Sequence, residues 1–153
     1  MILSPERTSF DRVTDLVWMG SRIATLDDFR RLRSEGIRAC VDMKLEGADP
    51  WGFDVFLWLP TPDHDAPSQV HLRIGLAFLR ECEAAGLPVF VACLAGVGRS
   101  STLVLAHLLA GPFRGKGVDA ALKFLTERRP AVRPNPEQIE AAQLAAFAFH
   151  DRG

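Results

Sequence analysis

A cysteine, an arginine and a serine stand at spacings suited to nucleophilic chemistry in the segment Cys93-Leu94-Ala95-Gly96-Val97-Gly98-Arg99-Ser100. A cysteine thiolate is a nucleophile, and a guanidinium can hydrogen-bond two oxygens of one phosphate group, as a lysine ammonium cannot. The hydroxyl of Ser100 can approach the sulfur from the residue after the arginine. These residue types predict a site that binds a tetrahedral oxyanion and attacks it through Cys93.

The sequence on either side of this segment predicts a loop that cradles phosphate. Pro88 to Ala92 is a short apolar run typical of a buried central strand, and Arg99 to Ala110 is typical of a buried helix. Gly96 and Gly98 permit the positive φ angles that turn backbone N–H groups inward. The helix start adds free N–H groups and the positive end of its dipole. We therefore expect the amides of residues 94–99 to bind phosphate.

A second loop carries two candidate proton donors, Asp63 and Asp65. The loop runs from Pro60 to Ser68, between an apolar strand and a helix, and should lie at the same edge of the sheet as the phosphate-binding loop. Expelling an alkoxide or phenoxide without a metal requires a proton from a side chain. Either aspartate is close enough to serve, although Asp65 is also placed to cap the helix that follows.

Two further acidic residues lie near the end of the second predicted strand. Asp42 is a candidate for orienting Arg99, although a capping role is equally common at such a position. Glu46 and Trp51 belong to the loop that follows, at a possible substrate rim, and surface or packing roles are favoured for both.

Hydrophobic periodicity and capping residues predict an α/β fold. Thr25 and Asn135 are expected to cap the first and last helices. The predicted order is strand 16–20, helix 25–35, strands 37–43 and 53–59, helix 67–85, strand 88–92, and helices 99–110, 118–129 and 136–149. This alternation predicts one domain spanning residues 1–153, with a largely parallel sheet of about four to five strands flanked by helices. The phosphate loop should join the central strand to a buried helix.

Composition and charge narrow the classes of function. Hydrophobic residues make up 48% of the chain, charged residues make up 24%, and the net charge is -1, so no basic field would attract nucleic acid or an anionic membrane. No signal peptide or apolar run of membrane-spanning length is apparent. Three cysteines without metal-type spacing favour a reducing compartment, and Cys40 and Cys82 are interpreted as core residues. We expect a cytoplasmic monomer without metal or cofactor.

The segment from Cys93 to Ser100 matches the cysteine–five residues–arginine–serine/threonine signature of the protein tyrosine phosphatase superfamily. Its two glycines make it resemble the small atypical dual-specificity phosphatases and their compact prokaryotic relatives. The resemblance extends to an opening strand within residues 12–21, a second strand within residues 36–43, and the Arg133-Pro134-Asn135 segment before the last helix.

This resemblance implies hydrolysis of phosphate monoesters without a metal, through a phosphocysteine at Cys93, with Arg99 binding the phosphate. It also implies that Asp63 is the general acid, because the family carries an aspartate at that place in the loop. The family's inhibitors imply binding of oxyanions such as phosphate and vanadate.

The chain departs from the family pattern at three features. Most relatives carry histidine before the cysteine, where this chain has Ala92, so the Cys93 thiolate should depend on the loop amides, the helix terminus, the arginine and the serine. The side chains of Leu94, Ala95 and Val97 are uncharged, which weighs against an inositol lipid as substrate. The chain contains no tyrosine, which favours a shallow, permissive pocket.

The function predicted from the sequence is hydrolysis of phosphotyrosine in proteins or peptides, with phosphoserine and phosphothreonine as further substrates. One alternative is a phosphatase of a small-molecule or nucleotide phosphate. A second is a weakly catalytic module that binds phosphorylated partners. A third, sulfur transfer or arsenate reduction, would require Cys40 or Cys82 to reach Cys93 as a resolving thiol.

Overall fold

A computed structural model describes residues 6–48 and 51–151. Within these residues the strands are β1 (Phe10–Arg12), β2 (Val17–Gly20), β3 (Ala39–Lys44), β4 (Val55–Thr61) and β5 (Val89–Ala92). The helices are α1 (Leu26–Ser34), α2 (Gln69–Ala84), α3 (Arg99–Ala110), α4 (Val118–Arg128) and α5 (Pro136–Asp151). None of the helices in this part of the chain is long and apolar enough to cross a bilayer.

The strands form one five-stranded sheet in the order β1-β2-β5-β3-β4. Strands β2, β5, β3 and β4 are parallel, and β1 pairs antiparallel with β2. The apolar strand β5 lies at the centre, and its last residue, Ala92, pairs with Gly20 of β2 and Asp42 of β3. The loop after β5 therefore leaves the middle of the sheet at its carboxyl edge, where α/β proteins bind their ligands.

Local capping interactions account for several helix ends. The Thr25 hydroxyl accepts a hydrogen bond from the Asp28 N–H at 3.1 Å, as expected of an N-cap, and Gly36, at φ +89°, follows the end of α1. The expected cap of α2 is wrong. Its cap is Ser68, whose hydroxyl accepts from the His71 N–H at 3.1 Å, because Asp65 lies too far before the first helical turn.

Two apolar layers cover the two faces of the sheet. The larger layer packs α2, α3, α4 and α5 against one face, around side chains such as Val91 and Leu103, and the smaller packs α1 against the other, around Phe90 and Ile37. Alternating residues of the central strands supply the two layers because successive strand side chains point to opposite faces. The predicted α/β fold with a largely parallel sheet and helices on both faces is confirmed.

The sequence did not predict β1, which consists of Phe10, Asp11 and Arg12. A three-residue edge strand carrying two charged residues has no hydrophobic alternation to detect. Strand β4 continues through Pro60 to Thr61, two residues beyond its predicted end. A proline is tolerated there because β4 is an edge strand. Backbone N–H groups on its outer edge have no neighbouring strand to pair with, so a residue without an N–H loses no ladder hydrogen bond there.

Candidate active site

The loop after β5 brings Cys93, Arg99 and Ser100 together at the start of α3. The Cys93 Sγ lies 3.2 Å from the Ser100 Oγ, within hydrogen-bonding distance. The three residues are buried, with exposures of 2%, 2% and 0%. The expected convergence of a thiol and a hydroxyl at the base of the loop is therefore present, and α3 begins at Arg99, as the sequence predicted.

The backbone of the loop is oriented by hydrogen bonds to its carbonyl oxygens. Each carbonyl from residue 94 to residue 98 accepts a hydrogen bond from a group outside the loop. The donors, in chain order, are the Arg22 N–H at 3.0 Å, the Arg129 Nη2 at 3.2 Å, the Arg129 Nε at 2.9 Å, the Arg133 N–H at 2.9 Å and the Thr102 N–H at 3.0 Å. Because the C=O and N–H of one peptide plane point in opposite directions, the amides of residues 95–99 face the inside of the loop.

The two loop glycines have different roles. Gly96 adopts φ +70°, and a Cβ there would lie 2.4 Å from the backbone carbon of Gly20, so both its conformation and its contacts require glycine. The expectation of a positive φ at Gly98 is wrong, since its φ is -115°. Gly98 instead allows the side chain of Gln138 to pack against the loop, because a Cβ at position 98 would lie 3.0 Å from the Gln138 Oε1.

Arg99 is held by Glu46 and by the end of β4. Its Nη1 donates to the Glu46 Oε1 at 2.7 Å and to the Thr61 carbonyl at 2.7 Å, and its Nη2 donates to the Glu46 Oε2 at 3.2 Å. The hydrogen bond from Arg99 lowers the pKa of Glu46. Burial by itself would lower the pKa of Arg99, but the carboxylate of Glu46 raises it overall. The guanidinium therefore stays charged and fixed in place.

The Nε of Arg99 and the second N–H of its Nη2 are left for another ligand, because the other three N–H groups bond to Glu46 and Thr61. The Nε is buried and has no hydrogen-bond partner within the described residues. The Asp63 Oδ1 lies 3.6 Å away, beyond hydrogen-bonding distance. A buried donor without a partner is costly in a folded protein, so this atom indicates where an oxyanion would be bound.

Glu46, and not the candidate Asp42, is the acidic residue whose carboxylate contacts Arg99. The Asp42 carboxylate accepts from the Lys44 Nζ at 2.6 Å and from the Lys44 N–H at 3.1 Å, and both side chains are almost completely buried. Lys44, two residues away on the same strand, thus engages the carboxylate that was one candidate for orienting Arg99. The interpretation of Glu46 as a surface or packing residue is wrong, because its carboxylate binds Arg99.

Asp63 lies at the mouth of the loop. It lines a cavity of about 240 Å³ that is also lined by Cys93 and Arg99, and its Oδ1 accepts from the N–H of His64 at 3.0 Å. Asp65 does not line this cavity; its backbone N–H donates to the Pro62 carbonyl at 3.2 Å. The geometry thus favours Asp63 over Asp65 as the proton donor.

Arg129 is a functional residue that the sequence analysis missed. It is 2% exposed, and besides its two bonds to the loop carbonyls its Nη1 donates to the Asp11 carboxylate at 2.8 Å and to the Ser9 hydroxyl at 3.0 Å. It lies at the C-cap of α4, next to the exposed Arg128. In the sequence Arg129 differs from the neighbouring arginine only in preceding Pro130. That position does not indicate a contact with the phosphate loop.

Ala92 and the other two cysteines lie away from the sulfur of Cys93. Ala92 and Cys40 belong to the apolar layer beneath α1, on the opposite face of the sheet from Cys93. Cys82 lies near the start of β5, because its carbonyl accepts a hydrogen bond from the Leu87 N–H just before that strand. Cys93 follows the other end of β5. Burial raises the pKa of Cys82 to about 11. Cys40 and Cys82 are core residues, as expected, and neither is placed to resolve a bond to Cys93.

No cluster of three or more histidine, cysteine, aspartate or glutamate side chains in residues 6–48 and 51–149 is arranged to hold a metal ion.

Comparison with known proteins identifies relatives for most of the chain. A family model described as dual specificity phosphatase, catalytic domain, matches residues 30–148. Tyrosine-protein phosphatase vhp-1 of Caenorhabditis elegans is 26% identical over 129 residues, covering 80% of this chain and 19% of that protein. Dual specificity protein phosphatase 22 of Xenopus tropicalis is 36% identical over 97 residues, covering 61% of this chain and 44% of that protein. The chain thus spans less than half the length of these curated relatives.

The fold also resembles solved structures. The crystal structure of human DUSP28 aligns with a TM-score of 0.81 over 97% of this chain and 99% of that one, at 24% sequence identity. At this identity the similarity concerns the fold.

Proposed function

Because the chain belongs to the dual-specificity phosphatase catalytic-domain family, we propose that it hydrolyses phosphate monoesters of proteins through a phosphocysteine at Cys93. The observation that carries this proposal is the orientation of the loop, whose carbonyls bond to groups outside it, so that the amides of residues 95–99 point into the loop that begins at Cys93. Inward amides, a helix N-terminus and a buried guanidinium together bind a phosphate dianion.

In the first step the substrate phosphate binds the loop amides and the Nε of Arg99. The thiolate of Cys93 attacks phosphorus and forms the S–P bond, while the bond from phosphorus to the leaving oxygen breaks. The electron pair of that bond goes to the leaving oxygen, which takes a proton from the carboxyl group of Asp63. The products are the dephosphorylated alcohol or phenol and phosphocysteine.

In the second step water hydrolyses the phosphocysteine. The carboxylate of Asp63 accepts a proton from water as its oxygen attacks phosphorus, and the S–P bond breaks. The electron pair returns to sulfur, where the hydroxyl of Ser100, 3.2 Å away, donates a hydrogen bond to the departing thiolate. Inorganic phosphate leaves, and Asp63 and Cys93 regain their starting protonation.

The lining of the cavity supports a phosphorylated protein side chain as substrate. The loop lines the cavity with the uncharged side chains of Leu94, Ala95 and Val97. Among the described residues that line it, Arg133 is the one arginine besides Arg99. This lining suits the ring of phosphotyrosine better than an inositol carrying several further phosphates. Phosphoserine and phosphothreonine are proposed as further substrates, and phosphate and vanadate as inhibitors. A phosphate-binding module without catalysis is the weaker alternative, because binding alone would not require Asp63 beside the nucleophile.

We further propose that residues 1–153 form a single domain that acts as a monomer in the cytoplasm.

The proposal is tested with phosphopeptides, phosphoinositides, nucleotides and small phosphomonoesters assayed on wild type, Cys93→Ser and a control, Cys82→Ala. Cys93→Ser should abolish hydrolysis and retain phosphate binding, because the loop amides and Arg99 remain. Cys82→Ala should retain activity, and vanadate should inhibit wild type competitively. Activity that survives Cys93→Ser, or that a chelator removes and a divalent metal restores, would refute the mechanism.

A further inference from the structure

The start of α5 lies against the loop that carries Asp63. Asn135 and Gln138 form a reciprocal capping box there: the Gln138 N–H donates to the Asn135 Oδ1 at 2.9 Å, and the Asn135 N–H donates to the Gln138 Oε1 at 2.9 Å. These bonds use the oxygen of each side-chain amide. The NH₂ groups of both side chains are left for other acceptors.

Both NH₂ groups donate to consecutive carbonyls of the Asp63 loop. The Asn135 Nδ2 donates to the His64 carbonyl at 2.8 Å, and the Gln138 Nε2 donates to the Asp65 carbonyl at 3.1 Å. A serine or aspartate at position 135 and a glutamate at position 138 would form the same capping box. Only the amide side chains supply the additional donors, so helix capping alone does not account for these two residue types.

The held carbonyls constrain the residue next to Asp63. His64 adopts φ +67°, a left-handed conformation that is uncommon for a residue other than glycine and persists where the surroundings impose it. In this conformation its N–H donates to the Asp63 Oδ1 at 3.0 Å. That carboxylate oxygen is the one that lies 3.6 Å from the Arg99 Nε. A continuous set of contacts thus runs from α5 to the carboxylate beside the phosphate site.

Gln138 also contacts the phosphate loop. It is 2% exposed, and its side-chain amide packs against Gly98 so closely that a Cβ on this glycine would lie 3.0 Å from the Oε1. One buried amide therefore touches the loop that binds phosphate and hydrogen-bonds the loop that carries the acid, which keeps the two loops in a defined relative position.

We propose that Asn135 and Gln138 are positioning residues that hold Asp63 where it can protonate the leaving oxygen. The inference rests on the proposed function. It assigns to the start of α5 a role in proton donation, apart from phosphate binding, which belongs to the loop amides and Arg99. Loss of the two donors should slow reactions that need the proton and spare reactions that do not.

The variants Asn135→Ser and Gln138→Met test this role without adding charge. Serine retains an N-cap acceptor but is too short to reach His64, and methionine retains the length of glutamine without its amide. Gln143→Met, at an exposed position of α5, is the matched control. Each is assayed on an activated aryl phosphate and on an alkyl phosphate, alone and in an Asp63→Asn background, with the vanadate inhibition constant measured for all.

With the alkyl phosphate, kcat should fall about 10-fold or more in Asn135→Ser and Gln138→Met, because proton donation contributes about 10²–10⁴-fold to such reactions. With the activated aryl phosphate it should fall less than about threefold, since the leaving group needs little protonation. In the Asp63→Asn background neither change should reduce kcat further, as expected when two changes remove one interaction. The vanadate constant should be unchanged, and Gln143→Met should match wild type.

Two results would overturn the inference while leaving the proposed function intact: equal losses on both substrates, or losses that add to that of Asp63→Asn. Activity retained by Cys93→Ser would instead refute the proposed function.

A further measurement tests the tether without substrate turnover. Amide hydrogen exchange within residues 63–66 should quicken in both variants and not in Gln143→Met, and unchanged exchange would refute the tether itself.

Discussion

The guanidinium of Arg99 and the carboxylate of Glu46 are joined by paired hydrogen bonds, Nη1 to Oε1 at 2.7 Å and Nη2 to Oε2 at 3.2 Å. This geometry leaves the arginine little rotational freedom and places its Nε 3.6 Å from the Asp63 Oδ1. The pair links the segment after β3 to the start of α3.

Glu46→Gln should weaken this hold, because an amide presents one acceptor and no charge to the guanidinium. We expect kcat/KM to fall about 10-fold, with a weaker vanadate constant, since charge-assisted hydrogen bonds contribute about 1.5–3 kcal/mol when buried and Glu46 is partly exposed. Glu127→Gln, an exposed change on α4, serves as the control. Unaltered kcat/KM in Glu46→Gln would show that the Thr61 carbonyl and the fold position Arg99 without the carboxylate.

Asp63 and Asp65 should respond differently to the same substitution. Asp63→Asn should lower kcat about 10²-fold on poor leaving groups and less on activated aryl phosphates. Asp65→Asn should change neither activity nor stability by more than about 0.5 kcal/mol, since its backbone rather than its carboxylate makes the observed hydrogen bonds. A larger catalytic loss in Asp65→Asn than in Asp63→Asn would reverse the assignment of the acid.

Ser68→Ala should lower the free energy of unfolding by about 1 kcal/mol, because the Ser68 hydroxyl caps α2.

Arg129→Lys should loosen the phosphate loop, because an ammonium cannot hydrogen-bond two successive carbonyls with the fork of a guanidinium. The vanadate inhibition constant should rise about 10-fold, the effect of losing about 1.4 kcal/mol of binding energy. Arg128→Lys, its exposed neighbour, should leave the constant unchanged.

Asp11→Asn provides a second test of the same clamp if Arg129→Lys folds poorly. It weakens the contact at the Arg129 Nη1 and leaves both bonds to the loop carbonyls in place. We expect a vanadate constant between those of wild type and Arg129→Lys. If both variants bind vanadate like wild type, the loop holds its shape without the arginine.

Asp28 predicts an acid dependence of stability. Burial alone would raise the pKa of its carboxyl group, but hydrogen bonds from the Thr8 N–H, Arg31 and Arg7 lower it to about 2. Since the unfolded value is about 3.9, ionised Asp28 stabilises the fold above pH 4, and this contribution is lost as the pH falls through about 2. The contribution of ionised Asp28 to the free energy of unfolding amounts to about 2–3 kcal/mol.

The measurement is urea unfolding of wild type and Asp28→Asn at pH 6 and pH 3. Wild type should lose about 1 kcal/mol more than the variant over this interval, because roughly half of the contribution disappears by pH 3. Parallel losses in the two proteins would mean that other carboxylates account for the acid sensitivity.

The sequence by itself determined the features that depend on neighbouring residues. Cys93 and Arg99 are six residues apart between a buried strand and a buried helix, and this spacing alone predicts a loop with the sulfur and the guanidinium at its ends. The bounds of α3 and the caps at Thr25 and Asn135 were predicted correctly because capping and apolar periodicity act over one helical turn.

Only the tertiary structure decided which side chains hold these groups. Glu46 meets Arg99 across 53 residues, Arg129 meets Gly96 across 33, and Gln138 meets Asp65 across 73. Local patterns carry no information on such pairs, because they form when the parallel sheet aligns the ends of its strands and packing of the last helices brings α4 and α5 beside them. Asp42 illustrates the limit. Its position near the carboxyl end of β3 suggested a contact with Arg99, but Lys44, on the same face of that strand, engages its carboxylate, and the buried charge is satisfied there.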